Sequence, residues 1–148
     1  MSQTQDTTTN RPEEVQVLEF SLGEETYALN IEYIEEIAHV GDLTPIPNSP
    51  AHVTGVMDLR GRTTAVVDPK HLFDVSDDGD GKRILVFDPD QLTDGEAIGW
   101  TVDEVHQVVT IQPEHADEAP GTDNDAIRGV IKRDGEFIIW IDPEAIEA

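Results

Sequence analysis

Residues 55–69 read GVMDLRGRTTAVVDP, and residues 129–143 read GVIKRDGEFIIWIDP. Set one over the other, they align without a gap at an offset of 74. Five of the fifteen positions are identical: Gly55/Gly129, Val56/Val130, Gly61/Gly135, Asp68/Asp142 and Pro69/Pro143. Average composition gives about one match by chance. In each copy an apolar run, a turn carrying glycine and a second apolar run end on Asp-Pro. That is the pattern of a β-hairpin followed by a short helical turn with proline at its first position. An internal repeat constrains the architecture before any single element is assigned.

The repeat extends outward. Leu29, Ile31, Ile34 and Ile37 match Trp100, Val102, Val105 and Val108 at an offset of 71, and Leu18 and Phe20 match Leu85 and Phe87 at an offset of 67. The offset grows by whole loop insertions, as in a duplicated unit whose loops have drifted. LEFSL (residues 18–22) alternates with period two, which predicts a strand buried on one face. Gly23, Glu24 and Glu25 make a turn, and residues 26–31 return. Residues 32–36 fit either a helical turn or more strand. Pro45, Pro47 and Pro50 stiffen a connector. Residues 53–59 and 62–68 form a hairpin around Arg60-Gly61, with a short helix over 69–73.

Each half is therefore about five short strands, and the chain is mainly β: two small barrels or sheets related by a pseudo-twofold. Neither is large enough to be very stable alone, so the two should pack together. We place the first half at about 15–73, an acidic connector at 74–81 and the second half at about 82–148. Residues 1–14 are polar and read as a disordered tail. A loose segment over 112–125 is the counterpart of the proline connector.

Composition narrows the function. The 148 residues hold 9 Lys+Arg, 32 Asp+Glu and no Cys, a formal net charge of −23. Such a surface repels phosphate backbones and anionic lipid headgroups, which argues against nucleic-acid binding and direct membrane contact. Without cysteine there are no disulfides, thiolate nucleophiles or thiolate-ligated metals. The longest apolar run, residues 137–141, is far too short to span a bilayer. MSQTQDTTTN at the start has neither a basic nor an apolar signal region, so the expectation is a cytoplasmic chain. Self-repulsion at this charge is relieved by salt, which points to a halophilic host, haloarchaeal in kind.

No motif assembles reaction chemistry. Asp74, Ser76, Asp78 and Gly79 suit the first half of a calcium loop, but its twelfth position is Leu85 instead of Glu, so the run reads as a solvated acidic turn. Asp68 and Asp142 are repeat partners, which invites comparison with a shared-proton carboxylate dyad. Each precedes Pro, and a strand-end Asp capping the next helical turn is the better reading. The five histidines, His39, His52, His71, His106 and His115, have no ligand spacing, and no cofactor is expected. Arg60 stands apart, at a hairpin tip of an acidic chain. Its fork suits a docking point, and equally an internal bridge to one of many carboxylates.

FSLGEETYAL (20–29), IEEI (34–37), PNSP (47–50), GVMDLRG (55–61), VVD (66–68), GWTVDEV (99–105) and GV (129–130) resemble, in order and spacing, the CheW family of chemotaxis coupling proteins. The resemblance implies two intertwined five-stranded SH3-like barrels around a shared core, with a short C-terminal helix. It implies a scaffold, not an enzyme, that binds the cytoplasmic tip of methyl-accepting receptors and the regulatory domain of the histidine kinase CheA, recruited to receptor clusters at the membrane. By motif, the receptor-facing groove involves Ile34, Gly55, Arg60, Gly99, Val105, Val108 and Gly129. The kinase-facing residues are not assigned. This chain has Asp58 where the family usually has Asn, so a hydrogen-bond donor is lost there and an added bond to a nearby Arg becomes available. It also has Asp68-Pro69 where Asp-Leu is usual. The rivals are a paralogue that competes for array positions without activating the kinase, a small Asp-based enzyme and a calcium-dependent module.

Overall fold

The computed structural model describes residues 14–73, 75, 81–118 and 126–145. Most of the expected tail and of the acidic connector, the calcium-like run included, lies outside the described residues. Ten strands are described: β1 (Val15–Leu22), β2 (Glu25–Asn30), β3 (Ile34–His39), β4 (Val53–Leu59), β5 (Arg62–Val67), β6 (Arg83–Phe87), β7 (Ile98–Val102), β8 (Glu104–Ile111), β9 (Ile127–Arg133) and β10 (Glu136–Ile141). The one described α-helix is a single turn, α1 (Pro69–Leu72), and its repeat partner is a 3₁₀ turn at Pro143–Ala145. The ambiguous stretch after β2 is both things expected of it, a 3₁₀ turn at Ile31–Tyr33 and then β3.

The strands form two five-stranded sheets, ordered β8-β1-β2-β10-β9 and β3-β6-β7-β5-β4. The halves 15–73 and 82–148 divide the repeat but not the sheets. Each half lends two strands to one sheet and three to the other. Parallel pairs close the exchange, β10 on β2 (Ile139 opposite Tyr27) and β5 on β7 (Ala65 opposite Ile98). The register repeats with the order. Leu18 faces Val108 and Phe20 faces Val105, while Leu85 faces Ile37 and Phe87 faces Ile34. These are the residue pairs that the sequence offsets equate.

The hairpins turn alike. Arg60 and Gly61 have φ of 54° and 83°, and Asp134 and Gly135 have 54° and 81°. A two-residue turn with both residues left-handed matches the strand twist, and glycine supplies the second without steric cost. After each hairpin an Asp caps the helical turn. Asp68 Oδ1 accepts from the Lys70 N–H and Asp142 Oδ1 from the Glu144 N–H, each at 3.0 Å. Both carboxylates thus have the capping role expected of them.

Three apolar clusters follow from strand alternation. Val109 on one edge strand and Ile131 on the opposite edge share a cluster with Val17, Ala28, Ile138 and Trp140, so this sheet curls into a barrel around them. Ala38 and Leu59, on opposite edges of the other sheet, likewise share Met57, Val66, Ile84 and Val86. The other face of both sheets meets in a common core that includes Phe20, Tyr27, Leu29, Val67, Phe87, Trp100 and Ile141. Aromatic rings run through it from Phe20 to Tyr27, Phe73, Trp100 and Phe87, with centroids 5.1 to 6.0 Å apart. Such pairs add about 0.5–1.5 kcal/mol each beyond area burial.

The one-face expectation for residues 18–22 is corrected here. β1 is covered on both faces over residues 17–20, by its barrel interior on one side and the shared core on the other. Glu19, which alternation would put in water, is 3% exposed.

Candidate protein-docking surface

Arg60 is carried at the tip of the β4–β5 hairpin. Its guanidinium meets Glu36 of β3 as a fork, Nη1 to Oε1 and Nη2 to Oε2, each 3.0 Å. The internal bridge that was one of two readings of Arg60 therefore exists. The arginine side chain remains 76% exposed, however, and such a surface pair is worth about 0–1 kcal/mol. A partner carboxylate can displace Glu36 at little cost, so the bridge does not remove Arg60 from the surface. Asp58 does not take this arginine. It lies exposed on β4 opposite Thr63. Beside the fork is a cleft of about 200 Å³ with Leu59, Thr64, Val86 and Phe87 among its lining.

Ile34 and Val105 occupy equivalent places on the two edge strands β3 and β8, opposite Phe87 and Phe20. Both are partly buried and pack on the shared core. Val108, farther along β8, is 50% exposed. Ile34 and Val105 thus mark equivalent edge positions over one core, and the forked arginine is tied to β3 through Glu36.

The three glycines are enclosed by the chain itself. A Cβ on Gly55 would lie 2.4 Å from the Thr44 carbonyl oxygen, one on Gly129 would lie 2.9 Å from that of Asp117, and one on Gly99 would lie 2.7 Å from the Ile84 side chain. Thr44 bridges to Val56 and Asp117 to Val130, so each connector lays a backbone across its glycine in the same way. The close approach that these residues permit is used within the molecule.

Three features carry no sequence signal. Glu36 lies 24 residues from Arg60, with no local spacing to connect them. Glu19 accepts from Arg133 Nη2 at 2.6 Å and from Gln107 Nε2 at 3.4 Å, inside the mouth of the first barrel. That bond holds the arginine above the ordinary guanidinium range. Ser21 Oγ lies 2.6 Å from His106 Nε2, an exposed pair, and no carboxylate bonded to that ring is seen among the described residues. No group of three or more metal-ligating side chains occurs among the described residues, and no described helix is long and apolar enough to cross a membrane.

Two fused barrels with a common core, presenting edge strands and an exposed arginine fork, define a class: a β-barrel docking scaffold. The chain belongs to the CheW-like domain family, whose family model matches residues 16–148. It is 32% identical to the chemotaxis protein CheW of Thermotoga maritima over 136 residues, covering 90% of this chain and 87% of that one. It is 27% identical to that of Treponema pallidum, covering 88% and 80%. The crystal structure of the scaffolding protein TtCheW from Thermoanaerobacter tengcongensis superposes with a TM-score of 0.78 at 29% identity, over 93% of this chain and 90% of that one. The protein is a non-enzymatic chemotaxis scaffold.

Proposed function

We propose that this chain couples methyl-accepting chemoreceptors to the histidine kinase CheA, in the cytoplasm at receptor clusters. In this reading the receptor's helical tip lies along the seam marked by Ile34, Val105 and Val108, with Arg60 at its margin. The observation that carries it is the placement of Ile34 and Val105 at equivalent edge positions over one core. A helix laid between two such edges buries an apolar face, and an arginine at the rim pairs with its polar side. Gly55, Gly99 and Gly129 then act indirectly, by holding the connectors and the β6–β7 pair that shape the seam. The acidity fits a halophilic cytoplasm, where salt screens a charge of −23.

The test is a pull-down in multimolar KCl with the tagged protein as bait in a lysate of its own host. Recovery of a histidine kinase together with methyl-accepting receptors is expected. Clean recovery of the bait with neither partner would overturn the reading. Arg60→Glu places a carboxylate beside Glu36 and should reduce receptor recovery while leaving the far-UV spectrum intact. Unfolding of that variant would make Arg60 a structural residue instead.

A further inference from the structure

The edge strands that carry Ile34 and Val105 are repeat equivalents, yet they are not held alike. β8 runs for eight residues and β3 for six. The offset of 71 sets Ala38 of β3 and Val40 just beyond it against Val109 and Ile111 of β8. All four pack into the interior of their own barrel. At both places the β3 side has the smaller side chain, alanine for valine and valine for isoleucine. Ile34 exceeds Val105 by one methylene on the shared core, so β3 is anchored by two methyl-sized groups fewer in net.

Each barrel also has an arginine that crosses the gap between its edges. In the first sheet Arg133, at the end of β9, reaches the buried Glu19 of β1, which also accepts from Gln107 of β8. In the second sheet Arg60 reaches Glu36 of β3 itself, and does so in solvent. The repeat puts Val86 at the place of Glu19, Leu59 at that of Arg133 and Glu36 at that of Gln107. The ionic tie of the second barrel is thus moved outward to its surface, where it holds weakly, while breaking a buried pair costs more. The strand roots differ in the same sense. Asp103, one residue before β8, bonds Lys70 and the Gly23 and Gly81 N–H groups, whereas Tyr33, one residue before β3, bonds Glu144 through its hydroxyl.

We propose that β3 is the compliant edge of the seam, β8 the fixed one, and the Arg60–Glu36 fork the latch on the compliant edge. A partner carboxylate that takes Arg60 releases Glu36, and β3 with Ile34 then adjusts to the bound helix against an unmoving β8. The latch rests on the receptor-coupling reading, whereas the difference between the edges belongs to the chain alone. Segments with few buried apolar anchors and exposed ties open at lower free energy than the rest of a fold, so the same asymmetry that loosens β3 places the adjustment there.

Amide hydrogen exchange on the full chain in multimolar KCl tests the edges without any partner. Ladder-bonded amides of β3 should exchange about tenfold faster, or more, than their repeat equivalents in β8. Glu36→Gln, folded as the parent by circular dichroism, should quicken β3 by a further factor of about two to five and leave β8 within about twofold. Equal protection of the two strands, or a Glu36→Gln effect that is absent or shared by β8, overturns the inference. Titration with a purified cytoplasmic receptor fragment from the same host tests the latch. Glu36 competes for Arg60, so Glu36→Gln should bind the fragment about two- to fivefold more tightly than the parent. Unchanged or weaker binding overturns the latch, since a residue that only supported the seam would weaken binding when lost. A parent chain that binds no fragment overturns the receptor reading and the latch with it, and the exchange result still decides the difference between the edges.

Discussion

Lys70 Nζ sits 3.0 Å from each carboxylate oxygen of Asp103, with side chains only 8% and 12% exposed. Asp103 also accepts from the Gly23 N–H at 2.6 Å and the Gly81 N–H at 3.0 Å. One carboxylate thus ties α1, the β1–β2 turn, the segment leading into β6 and the β7–β8 turn. The repeat puts Glu144 at the place of Lys70 and Glu32 at that of Asp103. Among the described residues no cation pairs with Glu144, which accepts instead from the Tyr33 hydroxyl. Burial, reinforced by that bond, pushes the phenol far above its ordinary value. The duplicated knot is ionic in one copy and a neutral-donor bond in the other.

Acid should loosen the Lys70–Asp103 knot. Burial pulls the Asp103 carboxyl up, and its bonds to Gly23, Lys70 and Gly81 outweigh burial, so it lies below the ordinary 3.8. A depressed carboxyl contributes stability above its unfolded value and loses it as pH falls through the folded one. Urea midpoints at high salt should therefore fall as pH drops below about 4. Lys70→Ala should cost about 3 kcal/mol at neutral pH, at the low end for a broken buried pair because two backbone donors remain. It should also flatten the acid slope. Parallel acid curves for parent and variant would count against this account.

The Glu19–Arg133 pair should behave as a coupled unit. Arg133→Ala strands a carboxylate that is 3% exposed, at a cost of about 2 kcal/mol, moderated because the arginine itself is partly in solvent. Adding Glu19→Gln removes the stranded charge and should recover part of that loss. The check is a double-mutant cycle by denaturant unfolding, and additive single effects would contradict it.

Alanine at three glycines should give a ranked series. Gly55→Ala drives a Cβ to 2.4 Å from the Thr44 backbone and should cost about 3 kcal/mol or more. Gly129→Ala meets the Asp117 oxygen at 2.9 Å and should cost less, about 1–2 kcal/mol. Gly135→Ala has no atom within 4 Å but a φ of +81°, which leaves a conformational cost of about 1 kcal/mol. Thermal or urea midpoints settle the order, and a Gly135 effect equal to that of Gly55 would refute the connector argument.

Salt should govern folding. With a charge of −23, stability should rise with KCl as the screening length shortens from about 10 Å at 0.1 M to about 3 Å at 1 M. Dialysis from multimolar KCl into dilute buffer should erode the far-UV signal of the strands. A spectrum unchanged by that dialysis would remove the halophilic explanation of the acidity.

Much of the fold was legible because duplication writes the same physics twice. The Arg60-Gly61 and Asp134-Gly135 turns, the Asp68 and Asp142 caps and the equivalence of Ile34 and Val105 all follow from aligned residues. Glu19 was not legible, since alternation says which side chains share a face but not how many faces are covered. Nor was Glu36, because an ion pair between opposite edges of one curled sheet leaves no spacing in the chain. The glycines were visible as repeated residues, but what lies over them depends on where the connectors run.

By itself the sequence determined the mainly β class, the strand-turn-strand units, the twofold repeat and the family. All of these rest on local periodicity, turn stereochemistry or motif order, which neighbouring residues specify. Only the tertiary structure decided that each half surrenders two strands to a sheet of the other, which turns two marginal barrels into one body with a common core. It alone decided which cations find carboxylates among the described residues. Ion pairs depend on distances of a few ångströms between residues far apart in the chain, and the curling of each sheet and the packing of the two barrels set those distances.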